Sequence, residues 1–401
     1  MRLSYILVTR NRRQAALDIL RSLSANTPLP AQEWEAFCID NASTDDTAAA
    51  VRAELPNVRL FSNRLDKGPA AANQALAACR GRQVIKLREG AYPADGAAIL
   101  SLLSHLDSDP AIGAVAGRMI LPDGSALASP LPSLATPGAS CFRKTVLDRI
   151  GGFSTLFGQA AEYDLGFRIF DAGFRIDKRD DIIFRSQGVA GGVAEGKDAD
   201  RSELRARIRD HLIVASRRLP ARLARIYWHD WWMREKALAA HAGHSRAAWA
   251  GYFSACLARL AQLYTAPQPI SRQAIEDVFE YRRHAAMVGD WARRNSVWRV
   301  VLADFSENIW ATYNACRSTG LQMRCIADSN PALAKLVYRG LPIVPANRAF
   351  EGGGIDGVII THSDPAQIEA NFKILRNHFH GPILRLTQTP RVATRVQATA
   401  A

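Results

Sequence analysis

The N-terminal part of the chain alternates between two hydrophobic periods, and this restricts its fold more than any other feature. Leu3–Thr9 is a compact apolar run suited to a buried strand. Arg13–Ala25 then carries Ala16, Leu17, Leu20 and Leu23 at helical spacing. Trp34–Asp40 reads as a second strand, and Ser43-x-x-Asp46 resembles a capping box ahead of a helix over Thr47–Leu55. Val58–Phe61 is a third strand. Pro69 suits the first turn of the next helix and Gly81 its C-terminal cap, before a fourth strand at Val84–Leu87.

Strand-helix alternation of this kind implies a doubly wound, mostly parallel sheet. Ligands of such sheets bind beyond the carboxyl ends of the strands. Thr9–Asn11, Asp40–Ser43, Asn63–Gly68 and Arg88–Gly90 all fall at those ends, which makes them candidates for one site.

The rest of the chain changes character twice. Gly188–Gly196 is a glycine-rich connection, and Asp200–Arg294 is helical in pattern and rich in Arg, Ala and Trp. From Val297 the alternation returns, with strands at Arg299–Ala303, Leu321–Asp328, Leu341–Val344, Gly357–Thr361 and Ile383–Leu386. The expected division is 1–190, an α/β domain; 196–295, a helical basic region; 297–388, a Rossmann-like domain; and 389–401, a disordered tail. At 401 residues, more than one core is expected. No apolar stretch reaches the roughly 18 residues of a membrane span. The arginines straight after Val8 argue against a signal peptide. The six cysteines lack zinc-like spacing and read as reduced thiols of a cytoplasmic protein. The net charge of +13 admits nucleic acid, an anionic membrane or a phosphate-bearing substrate as partner, or simple solubility.

Several motifs choose among these. Ile6-Leu7-Val8-Thr9-Arg10-Asn11-Arg12 is followed by Phe37-Cys38-Ile39-Asp40-Asn41-Ala42-Ser43-Thr44-Asp45-Asp46-Thr47, then by Asn63-x-x-x-Lys67-Gly68-x-Ala70-x-Ala72-Asn73. Gly138–Lys144 precedes Gly151-Gly152-Phe153, Ala161-Glu162-Tyr163-Asp164-Leu165-Gly166-Phe167-Arg168 and Ala172-Gly173-Phe174-Arg175. In this order the pieces resemble the family two glycosyltransferases over roughly residues 2–190.

The resemblance implies a GT-A fold and sugar transfer from a nucleotide sugar, of UDP or dTDP type. The acceptor would be a saccharide or a lipid-linked molecule, in surface polysaccharide or lipopolysaccharide synthesis, with inverting, hexosyltransferase-like chemistry. It places Asp40 against the nucleobase edge, where a carboxylate accepts from a ring N–H. Thr9, Asn11 and Ser43 would line base and ribose, Asn73 the same donor pocket, and Lys67 the diphosphate. An inverting transfer needs a base to deprotonate the acceptor hydroxyl. Glu162 matches that position, with Asp164 as the other candidate. Asp40 and Asp164 could instead cap helices, Lys67 could be a solvated loop residue, and Phe153 could belong to the core.

The pattern breaks where the family carries an Asp-x-Asp metal-binding element. The aligned stretch is Lys86-Leu87-Arg88-Glu89-Gly90, so only Glu89 could hold Mg or Mn, which prefer several oxygen ligands. The family's later histidine is also missing from Phe184–Gly188. Three readings stay open. In the first, Arg88 neutralises the diphosphate without metal; in the second, Glu89 serves a metal; in the third, the domain is an inactive scaffold. The arginines from Arg201 to Arg225, with Tyr227, Trp228, Trp231, Trp232 and Trp249, suit either an anionic membrane at the cytoplasmic inner face or ordinary packing. No nucleic-acid recognition module is visible. In the third region the segment Ala303–Asn308 lacks the glycines of a dinucleotide loop, so a structural role is favoured although Asp328 stands where a ribose-binding acid would.

Overall fold

The computed structural model describes residues 1–87, 90–125, 138–186, 201–261, 267–362 and 364–386. They divide into two compact units, the first within residues 1–186 and the second within 201–386.

The first unit runs β1 (Leu3–Thr9), α1 (Arg13–Asn26), β2 (Trp34–Asn41), α2 (Thr47–Glu54), β3 (Arg59–Asn63), a 3-10 turn (Gly68–Ala71), α3 (Ala72–Ala78) and β4 (Gln83–Leu87). It continues through β5 (Ala91–Pro93), α4 (Gly96–Ser108), β6 (Ile112–Ile120), β7 (Ser140–Arg143), α5 (Lys144–Arg149), α6 (Ala161–Asp171) and β8 (Arg175–Ser186). The eight strands form one sheet in the order β3-β2-β1-β4-β7-β6-β8-β5. Strands β3, β2, β1 and β4 are parallel, so their carboxyl ends share one edge. Leu3, Tyr5 and Leu7 pack with Leu17 and Leu20 of α1 and Ile99 and Leu103 of α4 in one core. Those of β1 and α1 are residues whose spacing predicts the elements. Strand β8 is charged, and several of its charges are paired: Arg175 bonds Asp177 and Asp109 at 2.8 Å each, and Asp177 bonds His105 at 3.0 Å.

Two local expectations are corrected. Ser43 does not cap α2: Asp46 stands at the N-cap with a left-handed φ of 59° and no capping bond, while the Asp45 carboxylate takes the Thr47 N–H. Gly81 does not cap α3, which ends at Cys79. A Cβ at Gly81 would stand 2.6 Å from the backbone of Leu3 and Ser4, so close passage beside β1 requires the glycine.

The second unit runs α7 (Arg201–Arg218), α8 (Ala221–His241), α9 (Ser245–Ala261), α10 (Arg272–Phe279), α11 (Tyr281–Asn295), β9 (Arg299–Ala303), α12 (Ile309–Ser318) and β10 (Gln322–Ala327). Then come β11 (Val337–Tyr338), β12 (Leu341–Val344), α13 (Ala346–Ala349), β13 (Gly357–Ile360), α14 (Pro365–Arg376) and β14 (Ile383–Arg385). The sheet order is β11-β12-β10-β9-β13-β14, all parallel except β11. Val288 and Ala292 of α11 share a core with Val300, Leu302, Ile326 and Ile359 of the sheet. The Asp230 carboxylate of α8 accepts from the Tyr338 hydroxyl at 2.8 Å and from Arg339 at 3.2 Å. Trp228 and Trp231 are buried, which assigns them to packing, whereas Trp249 is exposed. No helix among the described residues is long and apolar enough to cross a membrane. The segment 389–401 lies outside the described residues.

Candidate functional site

The parallel register sets Thr9 of β1 directly beside Asp40 of β2. Both are buried, and the Thr9 hydroxyl has no hydrogen-bond partner. An unsatisfied buried hydroxyl is costly and calls for an explanation. Beside it, Asp40 accepts the Ser43 N–H at 3.2 Å through Oδ1, and Oδ2 accepts from no described residue.

The loops after β1 and β2 are tied to each other. The Asn11 N–H donates to Ser43 Oγ at 2.9 Å, the Thr44 N–H to Asn11 Oδ1 at 2.7 Å, and the Arg13 N–H to Asp45 Oδ2 at 3.1 Å. Asn11, Ala42 and Asp46 all adopt positive φ, at 52°, 68° and 59°. Such backbone persists only where its surroundings hold it, and it concentrates at ligand sites. The loop after β3 joins through Asn41. Its Nδ2 donates to Asp66, and its Oδ1 accepts from the Lys67 N–H at 3.0 Å and Asn63 Nδ2 at 3.3 Å. Arg10 Nη1 donates to Asp66 as well, at 2.5 Å. The Lys67 side chain is left exposed.

Asn41 was given no role of its own by the sequence, although it ties the end of β2 to the loop after β3. Its one signal was a second polar residue straight after Asp40 at a strand end. Asn73 is held differently. Its Nδ2 donates to the Phe153 carbonyl and its Oδ1 accepts the Phe153 N–H, both at 2.8 Å. Both ends of the amide thus bond the Gly151–Phe153 turn. Gly152 there has φ 68°, and a Cβ would meet Asn73 Oδ1 at 2.4 Å.

Glu162 and Asp164 lie in the first turn of α6, where the helix dipole favours carboxylates. Glu162 Oε1 accepts from Lys86 Nζ at 2.9 Å, and the side chains are only 10% and 15% exposed. The same ammonium lies 4.9 Å from the centre of the Phe153 ring. Lys86 is the second residue that sequence reasoning missed. Its signal was a cation inside the apolar run Val84-Ile85-Lys86-Leu87. The Asp164 side chain is fully buried and accepts from Arg168 Nε at 2.8 Å, while Arg168 also donates to the Ile150 carbonyl. That arrangement braces α6 against the preceding turn and shields Asp164 from an incoming hydroxyl.

Because β4 lies beside β1 and β1 beside β2, Lys86–Glu162 and Asp40 belong to strands two spacings apart, roughly 10 Å across the sheet. Arg88 and Glu89 lie outside the described residues. Among the described residues no group of three His, Cys, Asp or Glu could hold a metal ion. With Glu89 as the single carboxylate of the aligned stretch, the donor set does not fit Mg or Mn.

The second sheet has a corresponding edge, and its polar groups are engaged internally. Asp328, after β10, accepts the Phe305 N–H at 2.7 Å and the Asn330 N–H at 2.8 Å. Burial, and then the charge of Asp304, push its carboxyl up to about 6. Asp304 accepts from Asn371 at 3.0 Å, and the Thr361 hydroxyl donates to the Asp304 carbonyl at 2.6 Å.

Residues 4–161 match the model of the family described as Glycosyl transferase family 2. No curated protein matches the chain at a significant level. Similar solved structures include the mannosyltransferase PcManGT from Pyrobaculum calidifontis in complex with GDP-Man and Mn2+, at 18% identity, covering 79% of this chain and 86% of that one, with a TM-score of 0.44. Another is S. aureus TarS 1-349 in complex with UDP, at 15% identity, covering 80% and 90%, with a TM-score of 0.46.

Proposed function

We propose, starting from an N-terminal unit that belongs to glycosyl transferase family 2 and has the GT-A architecture, that the protein transfers a sugar from a UDP- or dTDP-type donor to a saccharide or lipid-linked acceptor with inversion. Asp40 reads the nucleobase edge beside Thr9. The stapled loops of Asn11 and Ser43 line base and ribose. Lys67 and Arg88 meet the diphosphate, and Arg88 takes the place of a cation on the departing group. Glu162 accepts the proton of the acceptor hydroxyl as its oxygen attacks the anomeric carbon, and the nucleoside diphosphate leaves from the opposite face. Lys86 positions the Glu162 carboxylate. No step is assigned to a metal, since the residues present do not fit one. A lipid-linked acceptor in surface polysaccharide synthesis would bring the enzyme to the inner membrane face.

The observation that carries the enzymatic reading over an inactive scaffold is the Lys86–Glu162 pair. Ordering a nearly buried lysine and glutamate is a stability cost that a scaffold has no need to bear. The test is calorimetric titration of UDP, dTDP and GDP, first in EDTA and then with Mn. Binding in EDTA that is lost in Arg88→Ala supports metal-free transfer and identifies the base. Absence of binding under both conditions overturns the donor site and leaves the scaffold.

A further inference from the structure

The second unit carries a groove of about 710 Å³ lined by Arg201, Arg205, Arg209 and Arg246, with Ser254 and Ala247 among the other lining residues. Arg201, Arg205 and Arg209 repeat every four residues, which sets them in one row along α7, and Arg246 faces them from α9. Among the described residues, Arg209 bonds the Asp210 carboxylate at 3.0 Å. Among the described residues Arg205 donates to the Ser254 hydroxyl, and Arg201 and Arg246, both exposed, have no acidic partner. Helix α9 has no acidic residue.

Beside the groove runs a second feature of the same helix. Trp249, Phe253, Leu257 and Leu260 are 39%, 58%, 68% and 59% exposed. They follow helical spacing, so they form one ridge of roughly 17 Å along α9. The opposite face of α9, Ala248 and Ala255, is buried. Lys236 lies 5.3 Å from the Trp249 ring at one end of the ridge.

A row of guanidinium groups, of which among the described residues Arg209 alone has a carboxylate partner, next to a projecting apolar ridge needs an occupant that is anionic and apolar at once. A soluble sugar phosphate would satisfy the groove and leave the ridge in water. An anionic phospholipid surface satisfies both: phosphates meet the arginines while aromatic and aliphatic side chains enter the boundary beneath the headgroups. We propose that the α7–α9 face docks the protein on an anionic lipid bilayer. This takes up the membrane location of the functional reading but rests on residues outside the transferase unit.

The test is co-sedimentation of the full chain with phosphatidylcholine vesicles, with and without roughly 30% phosphatidylglycerol, at about 0.1 M salt and without donor or acceptor. Binding is expected only to the anionic vesicles. Arg201→Gln with Arg246→Gln should weaken it about thirtyfold, each charge contributing about a factor of five. Phe253→Ser with Leu257→Ser should weaken it more than tenfold. Unchanged circular dichroism of both variants checks that they fold. The proposal is overturned if anionic vesicles do not bind, if neutral ones bind equally, or if either double variant binds like the parent. Loss in the arginine variant alone would reduce the contact to charge attraction without the ridge and so overturn docking of the whole face. Nucleotide titration is read separately, so failure of docking leaves the transferase reading standing.

Discussion

Asp40 is the penultimate residue of β2, and Asp328 follows β10; each stands at the carboxyl end of a strand that pairs in parallel with the first strand of its sheet, β1 or β9. Their fates differ. Asp40 has an oxygen that no described residue occupies, next to a threonine hydroxyl without a partner. Asp328 has backbone donors on both oxygens, and its neighbours Asp304 and Thr361 are bonded within the same edge. Topology alone therefore does not make a ligand site. A parallel sheet offers a crevice, and the side chains decide whether it stays receptive or is filled by the chain itself.

The sharpest way to break this contrast is at Glu162. Glu162→Gln should lower turnover by about a hundredfold to ten-thousandfold, the range for loss of a general base, while donor affinity by calorimetry stays within about twofold. Lys86→Met should lower kcat in the same direction by less and leave KM for the donor nearly unchanged. A proportional loss of donor binding in either variant would mean that the pair belongs to the donor pocket.

Acid should separate the units next. In the second unit burial pushes His211 down to about 3 and His284 down to about 4, helped at His211 by Arg207 and Arg234 and opposed at His284 by Glu280. Bases with depressed folded values contribute stability that is present above about pH 6.5 and lost as pH falls toward those values. Asp328 has the opposite sign, since a raised carboxyl favours the fold as pH falls below about 6. Two histidines against one aspartate leave a net loss of about 2 kcal/mol between pH 6.5 and 5. In the first unit the carboxyl of Glu35 is lowered despite burial, by hydrogen bonds from Arg80 and Ser4, and Asp109 is lowered by the Ala111 N–H and Arg175. Those contributions are present through this window and lost only below the ordinary carboxylate range. Calorimetry of the whole chain at the two pH values should move the second unit's transition and leave the first in place.

A matched pair tests the acids themselves. Asp40→Ala should weaken nucleotide binding tenfold to a hundredfold, the loss of a charge-assisted hydrogen bond, whereas Asp328→Asn should leave it unchanged. Equal effects in titration would remove the distinction between the two edges. The smallest effect is at Gly152. Gly152→Ala should destabilise the first unit by about 1–3 kcal/mol, from positive φ and the crowding at Asn73, and should leave the second unit's melting unaltered.

Much of the scaffold was legible because its strands are uninterrupted apolar runs. Leu3–Thr9, Arg299–Ala303 and Leu341–Val344 fall on the expected residues, and β2, β3 and β4 within two of them. Strand β8 escaped since Arg175, Asp177, Arg179 and Asp181 obscure its alternation; their pairing, visible only in three dimensions, makes a charged strand tolerable. Within the site, Asp40, Thr9 and Glu162 could be marked by motif. The roles of Asn41 and Lys86 could not, because their importance lies in what they join: a strand end and the neighbouring loop in one case, a strand and a helix in the other. That Asn73 also holds a turn was not legible, because it rests on two hydrogen bonds to a residue 80 positions away.

The reciprocal bonds between the Asn11 and Ser43 loops have a kinetic consequence. Walls already fixed before a donor arrives need no slow rearrangement to receive it. Association should then be a single exponential whose rate rises linearly with nucleotide concentration, without the plateau that marks an isomerisation step. Selectivity between nucleotides would be expressed almost wholly in how fast each one leaves.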